Sequence, residues 1–215
     1  MIKKKINSLF VIFLLSYFLS ITLIFSADAE ADKDFDPVID TRKRNLGFES
    51  QRRDSIHIIR TKLIRDIELG NVEKIKIFLN NYKNDLNFII NGLNPFVHAV
   101  SINNFELVKF FLSETNINID ITDEFGNTAL IKASEKGYME MVDYLINNGA
   151  DINYQNKQGL TPAMKAAEKN NFYVIKLLLD KNVDISKSDY TGRTLREIAE
   201  NNRDKRILKL LNEKI

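Results

Sequence analysis

Cysteine is absent from this 215-residue chain, which excludes disulfides, thiolate metal sites and cysteine nucleophiles and leaves the redox compartment open. The fold must hold by packing alone, and 44% hydrophobic residues are enough for a sizeable core. A charge excess is also missing. The 31 Lys and Arg face 29 Asp and Glu, so bulk charge points to neither nucleic acid nor an acidic substrate. Histidine is scarce: His57 and His98 are the only two, without metal-ligand spacing, and both read as structural or surface residues. No glycine-rich phosphate loop, nucleophile elbow or paired-carboxylate setting occurs, and the acids are distributed as caps and solvated faces. No catalytic residue, cofactor site or metal site is assigned, and an enzyme is not expected.

What is present begins with a distinctive N-terminal segment. Lys3, Lys4 and Lys5 precede an apolar run from Leu9 to Phe25, followed by Ala27-Asp28-Ala29. Residues 1–29 read as a secretory signal peptide cleaved after Ala29. The run is 17 residues long and contains Ser16, Ser20 and Thr22, between a signal core and the shortest bilayer span, so a retained N-terminal anchor stays open. Both readings place the rest of the chain across a membrane, either secreted or periplasmic, or held outside the inner membrane by this segment alone. Removing three lysines and one aspartate leaves 28 basic and 28 acidic residues.

Residues 30–54 have little apolar periodicity, and their charges segregate: Glu30, Asp32, Asp34, Asp36 and Asp40, then Arg42, Lys43, Arg44, Arg52 and Arg53. The segment reads as a solvated, disordered linker. A basic arm for lipid or nucleic acid would need denser cations with interleaved aromatics, and only Phe48 is nearby. Past Asp54, Ile56, Ile59, Leu63, Ile64 and Ile67 recur at helical spacing, with Asp54 or Ser55 as the N-cap.

From there to the C-terminus the chain repeats itself at an offset of 33. Gly126-Asn127-Thr128 recurs as Gly159-Leu160-Thr161 and Gly192-Arg193-Thr194; Ala133 maps to Ala166 and Ala199, and Val142 to Ile175 and Leu208. One unit upstream, Ala99, Asn103 and Val108 match at an offset of 34, with the extra residue in a loop near Asn116. Further up, Leu63, Gly70 and Ile75 match at 67, with Asp66 where the later units carry alanine, as suits a terminal cap.

Each repeated position has a physical reason. Thr161 caps a helix through its hydroxyl and Pro162 fits the first helical position. The small side chains of Ala166 and Ala167 let a neighbouring unit approach, and Asn170 tolerates the left-handed turn that Gly137 and Gly70 hold elsewhere. A second helix carries the stripe Phe172, Val174, Ile175, Leu178 and Leu179, which one helix pair cannot bury by itself. Glu73, Glu106 and Glu140 fall in its first turn, where the helix dipole favours an acid. Gly149-Ala150-Asp151-Ile152-Asn153 then ends it.

The pattern Gly-x-Thr-Pro/Ala-x-x-x-Ala followed by Gly-Ala-Asp-Ile-Asn resembles the ankyrin repeat signature over about 160 residues. It departs where the family has a histidine after Thr-Pro-Leu, with Ile131, Met164 and Glu197 instead. The resemblance implies an all-α solenoid of about five helix-turn-helix units, at about 55–91, 92–122, 123–155, 156–188 and 189–215, joined by β-turn or hairpin loops. Arg196, Glu197, Glu200 and Arg203 make the outer surface of the last unit polar. By the same resemblance the chain is a monomer that binds a protein through loop tips and a concave face lined by the short inner helices. Carried over by position, the tips present Asp123, Glu124, Phe125 and Asn127, then Asn156, Lys157, Gln158 and Leu160, then Tyr190, Thr191 and Arg193. Phe125, Leu160 and Tyr190 are either interface anchors or side chains folded onto their own loops. Lys132 and Lys165 either form a basic ladder in the concavity or are solvated lysines. A regulator or effector that inhibits or recruits its partner is the same reading with a consequence added. The abundance of Lys, Asn and Ile is similar to that of AT-rich bacteria, some of which export ankyrin proteins toward a host.

Overall fold

A computed structural model describes residues 55–81, 86–202 and 204–213. The segments read as leader or anchor (1–29) and as linker (30–54), together with Arg203, lie outside the described residues. Ten helices occur among those described: α1 (55–68), α2 (Val72–Asn81), α3 (Pro95–Ser101), α4 (Phe105–Glu114), α5 (Ala129–Lys136), α6 (Met139–Asn147), α7 (Pro162–Glu168), α8 (Phe172–Asp180), α9 (Leu195–Asn201) and α10 (Arg206–Glu213). No strand forms among these residues; only isolated bridges pair Ile90 with Leu93, Thr122 with Thr128 and Ser188 with Thr194. The architecture is the all-α helical repeat solenoid that the resemblance implies.

Local chemistry sets the helix boundaries. The hydroxyls of Thr128, Thr161 and Thr194 accept hydrogen bonds from the backbone N–H of Ile131 (3.3 Å), Met164 (3.2 Å) and Glu197 (3.4 Å). Each satisfies an N–H that the first helical turn leaves unpaired. At α3 this role falls to Asn94, whose Oδ1 accepts from Phe96 and Val97, with Pro95 opening the helix. Between the two helices of a hairpin the chain turns through the left-handed region at Gly70, Asn103, Gly137 and Asn170 (φ 67°, 57°, 77° and 58°). Glycine and asparagine reach that region at least cost. The residue inserted near Asn116 is absorbed in the non-helical stretch between α4 and the bridge at Thr122.

Packing follows the repeat. The first helices stack in the order α3, α5, α7 and α9, and the second helices α6, α8 and α10 form a parallel row behind them. Ala99, Ala133, Ala166 and Ala199 are wholly buried where the first helices meet, because a methyl group is all the space allows. Val142, Ile175 and Leu178 are equally buried, while Leu208, one unit on, is half-buried, with no further unit covering it among the described residues. Full burial of such side chains stabilises by about 1.5–3 kcal/mol each.

Side chains also tie units together. Asn171 donates from Nδ2 to the carbonyls of Ser134 and Glu135 (both 2.9 Å), and Asn202 does the same to Ala167 (2.7 Å). These bonds cap the carbonyl end of the preceding unit's first helix. Where the family histidine is missing, Ile131 and Met164 are fully buried and serve as packing. Glu197 restores a polar link instead, its Oε2 accepting from the Thr194 N–H (2.7 Å) and hydroxyl (3.1 Å) in a capping box.

Candidate functional site

The connections ahead of α3, α5, α7 and α9 are tips, the first to the fourth in chain order, and each of the last three is built on one buried polar side chain. Asp123 Oδ1 accepts from the N–H of Phe125 (2.9 Å) and Asn127 (2.8 Å). Asn156 Oδ1 accepts from Gln158 and Leu160 (both 2.9 Å), and Asp189 Oδ1 from Thr191 and Arg193 (both 2.9 Å). An Asp or Asn head satisfies two backbone donors that a tight turn would otherwise strand. Burial alone would raise the Asp189 carboxyl, but the bonds from Thr191 and Arg193 prevail and hold it down at about 2.

Successive tips stack through their backbones. The N–H groups of Glu124, Lys157 and Tyr190 donate to the carbonyls of Gly92 (3.3 Å), Phe125 (3.2 Å) and Gln158 (3.0 Å) of the preceding tip. Glycine is required at this junction. A Cβ on Gly159 would lie 2.7 Å from the Tyr190 nitrogen, and the residue already sits at φ 78°. A side-chain relay adds to the stack: Asn127 donates to Asp123 Oδ2 (3.0 Å), and Asn156 donates to Asn127 Oδ1 (2.8 Å).

Between the third and fourth tips lies an open groove of about 420 Å³, lined among others by Lys157, Gln158, Leu160, Lys165, Tyr190 and Arg193. Seven residues marked from the sequence thus converge on one site, Thr191 among them. Phe125, Asn127 and Lys132 do not line it; Phe125 is 61% exposed on the second tip. Four of the residues expected at the tips are buried. Leu160 is only 3% exposed and forms part of the groove floor, so it is not a projecting anchor. Asn127 is buried in the inter-tip relay. Asp123 and Asn156 are turn heads with their polar atoms committed inside the tips, not presented groups. Tyr190, at 73% exposure, does project.

Of the two readings left open for Lys132 and Lys165, the basic ladder does not form, because acids interleave the lysines. Lys132 pairs with Asp123 and Glu135 (both 3.6 Å), Lys165 with Glu135 (3.6 Å) and Glu168 (3.1 Å), and Arg193 with Glu168 (3.8 Å) and Asp189 (2.8 Å). The outcome is an alternating ion-pair row crossing three units. Single exposed pairs contribute about 0–1 kcal/mol, so the row mainly fixes where each charge stands. Glu135 and Glu168 escaped the sequence reading, although each stands three residues after its lysine, where helix neighbours meet. The buried heads Asp123, Asn156 and Asp189 also had a signal: an Asp or Asn three residues before each tip glycine.

His98 is half-buried in α3 with its Nε2 3.5 Å from Glu68 of α1, and burial lowers its pKa more than Glu68 raises it. No cluster of three or more His, Cys, Asp or Glu able to hold a metal ion occurs among the described residues. No described helix is long and apolar enough to cross a membrane.

Two family models match the sequence: Ankyrin repeats (3 copies) over residues 63–156 and Ankyrin repeats (many copies) over residues 145–199. No curated protein matches it.

Proposed function

Because this chain belongs to the ankyrin repeat family, whose repeats are generally protein-protein interaction modules, we propose that it holds a protein partner in the groove between its third and fourth tips. One observation carries this reading. Lys157, Gln158, Lys165, Tyr190 and Arg193 converge on one open groove, on backbones already fixed by inter-tip hydrogen bonds. A surface ordered before binding loses little conformational entropy on binding. An exposed tyrosine beside an arginine is the kind of pair that dominates interface energetics.

The test is affinity capture with the full chain. The double variant Tyr190→Ala and Arg193→Ala should lose partners that the wild type captures, whereas Tyr173→Ala, exposed on α8 away from the groove, should keep them. Equal capture by the double variant and the wild type overturns the site. Leu160 is left out because its burial makes any substitution a test of folding.

Export belongs to the same proposal and rests on Lys3 to Lys5, the apolar run and Ala27-Asp28-Ala29. Cleavage after Ala29 would release the module, and retention would tether it outside the membrane as a regulator or effector at that surface. Mass spectrometry of the mature N-terminus separates the two, and an intact Met1 in the exported form excludes cleavage.

A further inference from the structure

The charges around the groove do not cancel. Lys157, Lys165 and Arg193 face Glu168 and Asp189, three cations against two anions. Both anions are already engaged. Asp189 accepts from Thr191 and Arg193 on Oδ1 and from Arg193 Nε (2.9 Å) on Oδ2, which also forms an ion pair with Arg193 Nη2 at 2.8 Å. Glu168 takes Lys165 at 3.1 Å and Arg193 at 3.8 Å. Lys165 has a second acid in Glu135 at 3.6 Å.

Lys157 is different. Its Nζ donates to the backbone carbonyl of Glu124 (2.7 Å) and meets no carboxylate among the described residues. The carboxylate of Glu124 itself lies over Gly92 of the first tip, where a Cβ would come within 2.2 Å of its Oε1. Arg193, meanwhile, is held by Asp189 along its Nε and Nη2 edge, which leaves Nη1 without a hydrogen bond among the described residues. Its side chain is 49% exposed. The lining of the groove therefore includes a lysine with no acid beside it, the open edge of an oriented guanidinium and the exposed ring of Tyr190.

Building on the groove as the partner site, we infer that its occupant is an acidic peptide segment: an Asp or Glu carboxylate seated between Lys157 and the open edge of Arg193, with a neighbouring apolar side chain against Tyr190. A planar carboxylate suits the guanidinium edge. The magnitude of the imbalance selects among anions. Lys165 stands between Glu168 and Glu135, and Arg193 between Asp189 and Glu168, so the unmatched charge is that of Lys157; one carboxylate matches it, whereas a phosphate carries about −1.5 to −2 and would leave negative charge facing Glu168 and Asp189.

The experiment selects a displayed library of random dodecapeptides against the full chain, then measures the affinity of an enriched peptide and its variants. Enrichment of Asp or Glu next to an aromatic or aliphatic residue is expected. Replacing that acid by its amide, or changing Lys157→Gln in the protein, should each weaken binding by about tenfold, and added salt should weaken it further. Lys157→Glu should shift the enrichment from acidic to basic peptides, with circular dichroism confirming an unchanged fold. Enrichment with no preference for acid, or tighter binding of a phosphoserine version than of the Glu peptide, overturns the inference. A library that yields no binder also overturns it. In each of these outcomes the groove reading stands if capture of the natural partner still depends on Tyr190 and Arg193, and falls if it does not.

Discussion

The hairpin of α1 and α2 and the central hairpins α5–α6 and α7–α8 follow one plan, but they differ in what covers them. In the central units Ala133 and Ala166 are wholly buried, with a unit stacked on either side. At the same repeat position α1 carries Asp66, half-buried and bonded to Asn71 Nδ2 (3.1 Å). Ile58, Leu69 and Ile77 of the first hairpin are 59–66% exposed, and a groove of about 270 Å³ opens between its helices. A unit in a stack has its residue choices dictated from two sides, whereas an end unit has them dictated from one.

Paired substitutions can break this comparison. The largest contrast is Leu145→Ala against Leu69→Ala. Leu145 is fully buried and its loss should cost about 2–5 kcal/mol, while Leu69 at 64% exposure should change stability by no more than about 0.5 kcal/mol. Urea unfolding reads both, and similar costs would show that the first hairpin is as tightly covered as the central ones.

Next come two glycines with matching backbones. Gly70→Ala meets nothing within 4 Å and should cost only the left-handed strain, about 1–2 kcal/mol. Gly159→Ala adds the collision with the Tyr190 nitrogen and should cost roughly 1 kcal/mol or more beyond that. Equal melting points for the two variants would mean that the tips are not held against one another. A smaller effect is expected for Thr161→Ala, which removes one cap and should lower stability by about 1 kcal/mol in the same unfolding assay.

The smallest effects distinguish the two ends by pH. The pKa of His98, packed against Glu68, lies below 6.5 in the folded chain. The unfolded chain takes up that proton first as pH falls, so stability near α1 and α3 declines from about 6.5 downward. Asp189 is depressed from 3.8 to about 2, so its contribution to the fourth tip is present above 3.8 and is lost as pH falls toward 2. Hydrogen exchange followed by mass spectrometry should show the N-terminal protection weakening first. His98→Gln should remove that early step while leaving the Asp189 window in place.

Much of this was legible from the residues. The 33-residue period places Gly126, Gly159 and Gly192 and the capping threonines in phase, and each acts within its own few residues. Asn103 and Asn170 stand at left-handed turns for the same local reason. The groove was less legible, because its properties depend on side chains roughly one repeat apart in sequence. Asn127, Leu160 and Arg193 share one repeat position, yet the first two are buried and the third is half-exposed. The third tip covers Asn127 and the fourth covers Leu160, whereas no further tip follows Arg193 among the described residues.

The sequence by itself determined the helices, their caps and the handedness of their turns, because backbone hydrogen bonding and left-handed strain are settled by near neighbours. It determined the family for the same reason, since a repeat is a local pattern written several times. Only the tertiary structure decided which tip residues face outward, which acids neutralise Lys132 and Lys165, and where Lys157 is left with a carbonyl for a partner. Burial and Coulomb energy depend on distance in space, and stacking brings units one repeat apart into contact.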